Sequence, residues 1–171
     1  MVDNAEKKQH AARLVAGTND IAIIGIACRV PQSPDADSFW QNLVNSTDLI
    51  TLIPEQRWDW RQYAAYPEMQ WGGFIEDVDK FDAEFFNITP VEAELMDPQQ
   101  RLLLESVWQT IEDAGYKASE LNGTYTGIFI GSTGSEYMLM QQSAGLEIDS
   151  HSISGNAQSI VANRLSYFFN F

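Results

Sequence analysis

The strongest hydrophobic pattern in the chain is a helical one that follows Asp97. Apolar residues recur there at intervals of three and four positions, as on one face of an α-helix. They are Leu103, Leu104, Val107, Trp108, Ile111 and Ala114. Asp97 is suited to cap this helix and Pro98 to begin it, and Gln100 is placed to reach back to the cap, as in a capping box. The pattern predicts a buried helix over residues 98–114, which Gly115 ends.

Two apolar runs predict strands. Residues 21–27 are almost continuously apolar between turn residues, which is typical of a strand buried on both faces. Residues 125–130 are rich in β-branched and aromatic residues, and Gly131 follows them. We expect both runs to be strands of a layered α/β core, with the first run as a central strand.

Turn residues, one cap residue and apolar periodicity predict three further helices. One covers residues 38–45, after a turn at Pro34. A short helix begins at Pro90, with Thr89 as its cap. The last helix covers residues 159–169 and is apolar on one face.

Two long stretches predict loops. Residues 48–73 are irregular, with aromatic residues interleaved with arginines. Residues 132–155 show little periodicity beyond a short stretch at 136–142. Loops of this length are usually functional lids or partner-binding segments, or are disordered.

Composition narrows the function classes. The chain has 171 residues, 44% of them hydrophobic, which suffices for one sizeable core, and no apolar run is long enough to cross a membrane. The net charge of -14 argues against nucleic acid, because phosphate binding needs clustered basic residues. The N-terminus has no apolar stretch typical of a signal peptide, and the single cysteine excludes an internal disulfide, so a reducing cytoplasm is the expected location.

Charge also separates the N-terminus from the rest. Residues 1–19 hold three basic residues and two acidic ones, a net of +1, so the remainder carries -15. We expect residues 1–19 to form a linker or docking segment, with a disordered tail as the alternative.

Candidate reactive and metal-binding residues have plainer interpretations. Cys28 follows the first predicted strand with no histidine nearby in sequence, so we interpret it as structural. The acidic residues 76–82 do not match a calcium loop, because Phe81 stands at a ligand position. On a strand, Glu147, Asp149 and His151 would share one face as metal ligands do, but one histidine without a second cluster favours a solvated edge. No metal or cofactor is therefore expected.

Several long motifs occur in a fixed order. They are Ile21-Ala22-Ile23-Ile24-Gly25-Ile26-Ala27-Cys28-Arg29, Phe39-Trp40, Arg57-Trp58-Asp59, Gly72-Gly73-Phe74, Phe81-Asp82-Ala83-Glu84-Phe85-Phe86-Asn87-Ile88-Thr89-Pro90, Asp97-Pro98-Gln99-Gln100-Arg101-Leu102-Leu103-Leu104-Glu105, Gly127-Ile128-Phe129-Ile130-Gly131 and Ala162-Asn163-Arg164-Leu165-Ser166-Tyr167. Together they resemble the ketosynthase domain of modular polyketide synthases. The stretch from Trp71 to Lys80 resembles the subclass that relies on a free-standing acyltransferase.

The resemblance implies a fold and an activity. It implies the N-terminal part of a thiolase-like layered α/β/α fold over residues 20–171, incomplete as a domain. Ketosynthases condense a carrier-bound acyl chain with a malonyl-type extender by decarboxylation. Their nucleophilic Cys and two catalytic His lie in motifs beyond the position of Phe171, so we expect no catalytic residue here and no activity from this chain alone. Ser154, Gly155 and Asn156 match a segment near the acyl pocket or the subunit interface, which suggests a pocket wall.

The resemblance also implies partners. They are a complementary C-terminal ketosynthase half, an acyl carrier protein with its phosphopantetheine-bound acyl chain, neighbouring polyketide synthase subunits and, once the domain is complete, a second copy. In fatty-acid relatives the segment matching Val91, Glu92 and Glu94 is basic and docks the carrier, so its acidity here argues against docking at this surface.

The aromatic residues at 168, 169 and 171 are expected to leave apolar surface for the missing half. The alternative to a ketosynthase part is a non-catalytic, vestigial ketosynthase-like interaction module.

Overall fold

The computed structural model describes residues 20–63, 65–66 and 70–171. The predicted linker at residues 1–19 lies outside this part of the chain. The helices are α1 Ala36–Val44, α2 Pro90–Leu95, α3 Pro98–Asp113, α4 Tyr137–Ser143, α5 Ser150–Asn156 and α6 Gln158–Phe169. The strands are β1 Thr51–Leu52 and β2 Trp71–Gly72, and short 3-10 turns occur at Trp60–Tyr63 and Ala118–Glu120.

Helix α3 begins at Pro98, as its cap residues predict. The Asp97 side chain accepts a hydrogen bond from the backbone N–H of Gln99 at 2.7 Å. Gly115, two residues after the helix, has a positive φ of 77°, which a residue with a side chain adopts only at a cost. The predicted capping box is wrong, because the Gln100 side chain contacts Ser154 and Arg164 instead of the cap backbone.

The core lies between α3 and α6. Its buried members include Met96, Leu104 and Leu165, and aromatic rings surround them. The Trp108 ring stacks on the ring of Phe169 with 6.2 Å between centroids. Phe169 is only 4% exposed, so the prediction that the end of α6 leaves its apolar residues uncovered is wrong for this residue. The helix returns onto α3 and buries that face itself.

The two predicted strands do not form in the described part of the chain. Residues 21–27 and 125–130 have no strand partner there, and the observed sheet is the antiparallel pair β1 and β2. A strand requires hydrogen bonds from a neighbour, which neither run finds among the described residues. Several of their apolar side chains are consequently open to solvent: Ile21 and Phe129 are each 94% exposed. Ile128 and Ile130 are half-buried against the core.

The first of these runs is nevertheless docked against the end of α3. The backbone N–H of Ile26 donates to the Asp113 carboxylate at 2.8 Å. A Cβ added to Gly25 would lie 2.4 Å from the carbonyl oxygen of Thr110. Gly25 is therefore the residue that permits backbone to approach helix so closely.

Two of the shorter helices begin at or near the residues that the sequence predicts, and one helix was not predicted. Asp35 and Ser38 form a capping box at α1, which begins two residues before its predicted start. Thr89 caps α2 as predicted. The predicted loop at residues 132–155 contains α4 and also α5, which was not predicted.

Candidate functional site

The three predicted pocket residues lie at the end of α5, against the junction between α2 and α3. The carbonyl oxygen of Gly155 accepts a hydrogen bond from the backbone N–H of Asp97 at 2.9 Å. A Cβ on Gly155 would lie 2.8 Å from the carbonyl oxygen of Leu95 and 3.0 Å from the Cα of Met96. Only glycine permits this close contact between the helix and the junction.

Asn156 fastens α5 to the same junction. Its Nδ2 donates to the carbonyl oxygens of Leu95 at 3.1 Å and Ser152 at 2.7 Å. Gln141 of α4 also donates to the Leu95 oxygen, at 3.0 Å. The Asn156 Oδ1 is buried and has no hydrogen-bond partner among the described residues, so it is an acceptor open to a donor from outside them.

Ser154 contributes mainly through its backbone. Its carbonyl oxygen accepts from Nε2 of Gln100 at 3.2 Å, which links α5 to the first turn of α3. Its hydroxyl donates to the carbonyl oxygen of His151 at 3.3 Å. The structure thus brings the three predicted residues together, with Gly155 buried and the other two half-buried.

An ion pair that the sequence did not predict supports this arrangement from α6. Arg164 Nη1 pairs with Glu92 of α2 at 2.6 Å, and its Nε donates to Gln100 Oε1 at 2.8 Å. Both charged side chains are largely buried, so solvent screens them little. Through Gln100 the pair reaches Ser154, and four helices share one polar network. Arg164 is 64 positions from Gln100 and 72 from Glu92 in sequence, so no local pattern joins it to them.

The loop before α4 closes one side of the site. The Ser135 hydroxyl donates to the second oxygen of the Asp97 carboxylate, and Gln158 donates to the carbonyl oxygen of Thr133. A narrow cleft remains between this loop, α3 and Asn156. The cleft is lined by Leu103 and Val161, by neutral polar groups and by one carboxylate that is already hydrogen-bonded. This lining is suited to binding rather than to nucleophilic attack.

Cys28 lies elsewhere. It lines a separate open cavity together with Asp35, Asp37 and Asp113. Within the described residues, no histidine lines this cavity to act as a base for the thiol. A covalent role for this thiol has no support from its surroundings.

Asp149, one of the acidic positions that suggested a metal, has another role. Asp149 caps α5, and its carboxylate accepts from the Ser152 N–H at 2.7 Å, which lowers the pKa of Asp149 below its usual value. The predicted strand face of Glu147, Asp149 and His151 is wrong, because His151 belongs to α5. Over residues 20–63, 65–66 and 70–171, no three metal-ligating side chains come together.

A second ion pair, half-buried, joins Arg29 to Glu105 of α3. Arg29 Nη1 lies 3.0 Å from Glu105 Oε2. Burial raises the pKa of the Glu105 carboxyl, and the neighbouring Arg29 charge opposes that shift.

None of the helices in the described part of the chain is long and apolar enough to span a membrane.

The comparisons with known proteins identify the family. The family model described as the beta-ketoacyl synthase N-terminal domain matches residues 18–171. The chain belongs to this family. PksN, a polyketide synthase of Bacillus subtilis strain 168, is 43% identical over 162 residues, which are 91% of this chain and 3% of that protein. ThaG, a polyketide synthase of Burkholderia thailandensis, is 42% identical over 159 residues, which are 89% of this chain and 3% of that protein.

Solved ketosynthase structures show the same fold. The ketosynthase from module 6 of the bacillaene synthase of Bacillus subtilis 168 has a TM-score of 0.76 and 38% identity, covering 88% of this chain and 24% of that one. The oxazolomycin ketosynthase domain OzmH KS7 of Streptomyces albus JA3453 has a TM-score of 0.74 and 36% identity, covering 87% and 27%. The predicted resemblance and the thiolase-like α/β fold are confirmed for this N-terminal part of a ketosynthase, which spans about a quarter of those chains.

Proposed function

We propose that this chain supplies scaffold and an acyl-pocket wall to a polyketide synthase ketosynthase. In the reaction, an acyl chain passes from a carrier thioester to a cysteine thiol and is then condensed with a malonyl-type extender, which loses CO₂. The nucleophilic Cys and the catalytic His belong to the remainder of the domain, which a complementary polypeptide segment provides. The family match over residues 18–171 and the likeness to solved ketosynthases support this proposal.

The observation that carries the proposal is the exposure of the runs at residues 21–27 and 125–130. Ile21, Ile23 and Phe129 are each at least 89% exposed, although both runs have strand-forming sequences. Unpaired backbone beside apolar side chains is a template for pairing with further strands. Burial of such side chains is worth about 25 cal/mol per Å². The remainder of a ketosynthase would cover these residues.

The residues at the end of α5 are the proposed pocket wall. Support comes from the rigid attachment of Gly155 and Asn156 to the α2–α3 junction and from the unpaired Asn156 Oδ1. That oxygen is suited to accept a hydrogen bond from an N–H or O–H group of a substrate or a neighbouring segment.

The remaining partners follow from the same proposal. A carrier protein delivers the acyl chain, neighbouring synthase subunits attach through residues 1–19, and the completed domain dimerises. Glu92 is committed to Arg164, and Glu94 leaves this surface acidic, so carrier docking is proposed for another face.

Reconstitution tests the proposed function. The 171-residue chain is mixed with the part of the bacillaene module 6 ketosynthase that follows the matched region, and the N-terminal part of that ketosynthase serves as positive control. We expect a complex that takes up an acyl group from an acylated carrier, detected by intact mass, and then condenses it with a malonyl extender. If the control pair reacts and this chain does not bind its complement, the proposal is wrong. Binding without acyl uptake would favour the vestigial interaction module.

A further inference from the structure

Arg101 of α3 is a buried cation without a counter-ion. The residue is 8% exposed, and its Nε is buried with no hydrogen-bond partner in the described part of the chain. The ion pairs found among those residues do not include it. The guanidinium carbon lies 5.8 Å from the centre of the Tyr137 ring, a cation–π contact that offsets only part of the desolvation.

The nearby carboxylates form no ion pair with Arg101 among the described residues; Asp79 pairs with Lys80, and Glu94 lines the same cavity as Arg101. Glu105 is within the electrostatic reach of Arg101, but its oxygen is hydrogen-bonded to Arg29 at 3.0 Å. The Asp97 oxygens accept from Gln99 and Ser135. A buried cation in this condition calls for an anion from outside the described residues.

Arg101 lines an open cavity. Its walls are mostly apolar, and the polar residues that line it beside Arg101 are Arg57, Asp79, Glu94 and Tyr137. The apolar lining residues are Val78, Phe81, Ala83, Pro90, Ala93 and Met140. The cavity therefore suits one anionic group flanked by apolar atoms.

The chemistry of the site favours a carboxylate over a phosphate. An unpaired Nε–H together with an Nη–H presents two parallel donors, which match the two oxygens of one carboxylate. Asp79 and Glu94 also line the cavity, and their charges would repel a doubly charged phosphate more strongly than a singly charged carboxylate.

We propose that the Arg101 cavity binds one carboxylate group, presented as an Asp or Glu side chain by the ketosynthase segment that completes this domain. That a ketosynthase segment supplies this carboxylate rests on the proposed function. The unpaired Arg101 cation and the apolar walls support it, and so does the length of the domain, since this chain covers 24% of the bacillaene ketosynthase. An Asp or Glu side chain of a protein brings apolar neighbours into the cavity, whereas a free carboxylate ion would leave the apolar walls exposed to water.

The first test uses acetate as a probe of the site by itself. The chain is labelled with ¹⁵N, and the arginine Nε–Hε signals are followed by NMR during titration with acetate, chloride or inorganic phosphate at constant ionic strength. Arg101→Met assigns the Arg101 signal by its loss. We expect that signal to shift saturably with acetate and to stay nearly unchanged with chloride. Absence of saturation, or tighter binding of phosphate, would overturn the carboxylate assignment.

The second test asks whether a protein supplies the carboxylate. Binding of the complementary bacillaene segment is measured for the parent chain, for Arg101→Met and for the control Arg61→Met, whose exposed guanidinium pairs with Asp59. We expect Arg101→Met to weaken binding at least about tenfold and the control to change it less than about twofold. Equal affinities of parent and Arg101→Met would overturn the inference and leave the proposed function standing. If the parent chain does not bind the bacillaene segment, both the proposed function and the supply of the carboxylate by that segment are contradicted. The acetate titration would then still show whether the Arg101 cavity binds a carboxylate.

Discussion

Replacement of Asp97 by alanine should lower the free energy of unfolding by more than the loss of a helix cap alone would. One carboxylate oxygen accepts the Gln99 N–H at 2.7 Å, and the other accepts the Ser135 hydroxyl. Loss of an N-cap costs about 1 kcal/mol. Loss of a charged acceptor that leaves a half-buried hydroxyl unpaired costs about 1.5–3 kcal/mol more. The expected decrease in the free energy of unfolding is therefore about 2.5–4 kcal/mol.

Urea unfolding followed by far-UV circular dichroism and tryptophan fluorescence measures this difference. Asp97→Asn is the matched control, because asparagine is an equally good cap, and it should lose clearly less. Ser135→Ala removes only the second hydrogen bond. In the double variant the two losses should not add, because both substitutions delete the same Asp97–Ser135 bond. An Asp97→Ala free energy of unfolding within about 0.5 kcal/mol of the parent would refute the reasoning.

Three further predictions concern Gly155, Asp149 and Cys28. Gly155→Ala should cost about 1–3 kcal/mol because the new methyl group would press on backbone atoms; Gly131→Ala, where a Cβ meets nothing within 4 Å, is the control in the same unfolding assay. The Ser152 N–H lowers the pKa of Asp149, so its stabilisation is present above the usual 3.8 and is lost as pH falls through the lower folded value. Asp149→Asn should therefore flatten acid unfolding curves, and identical curves would contradict this. Cys28 should take up no acyl group from an acylated carrier; an adduct found by intact mass would overturn its structural assignment.

Local signals predicted the caps well. Asp97, Pro98 and Thr89 act within a few residues of themselves, so their helices begin where the sequence places them. Helix α5 was missed because Ser150, His151 and their neighbours carry no apolar stripe. The signal that could have found it was the pairing of Asp149 with Ser152, which form a capping box.

The features that the sequence predicted wrongly or missed depend on contacts between residues far apart in the chain. The run at residues 21–27 has the composition of a buried strand, but a strand is completed by neighbours that lie elsewhere in sequence. The contact between Gln100 and Arg164 joins residues 64 positions apart, so a local capping box was the wrong assignment for that glutamine. Arg101 follows the apolar periodicity of α3 into the core, where composition alone would not place a cation.

The docking of residues 21–27 on the end of α3 also affects how the chain folds during synthesis. Ile26 and its partner Asp113 are 87 positions apart. At about 5–20 residues per second, roughly 4–17 s separate the synthesis of the two residues. During that interval the apolar run emerges from the ribosome with no helix to lie against. Nascent chains of this protein should therefore engage chaperones early, through their first exposed isoleucines, before the helix that receives them exists.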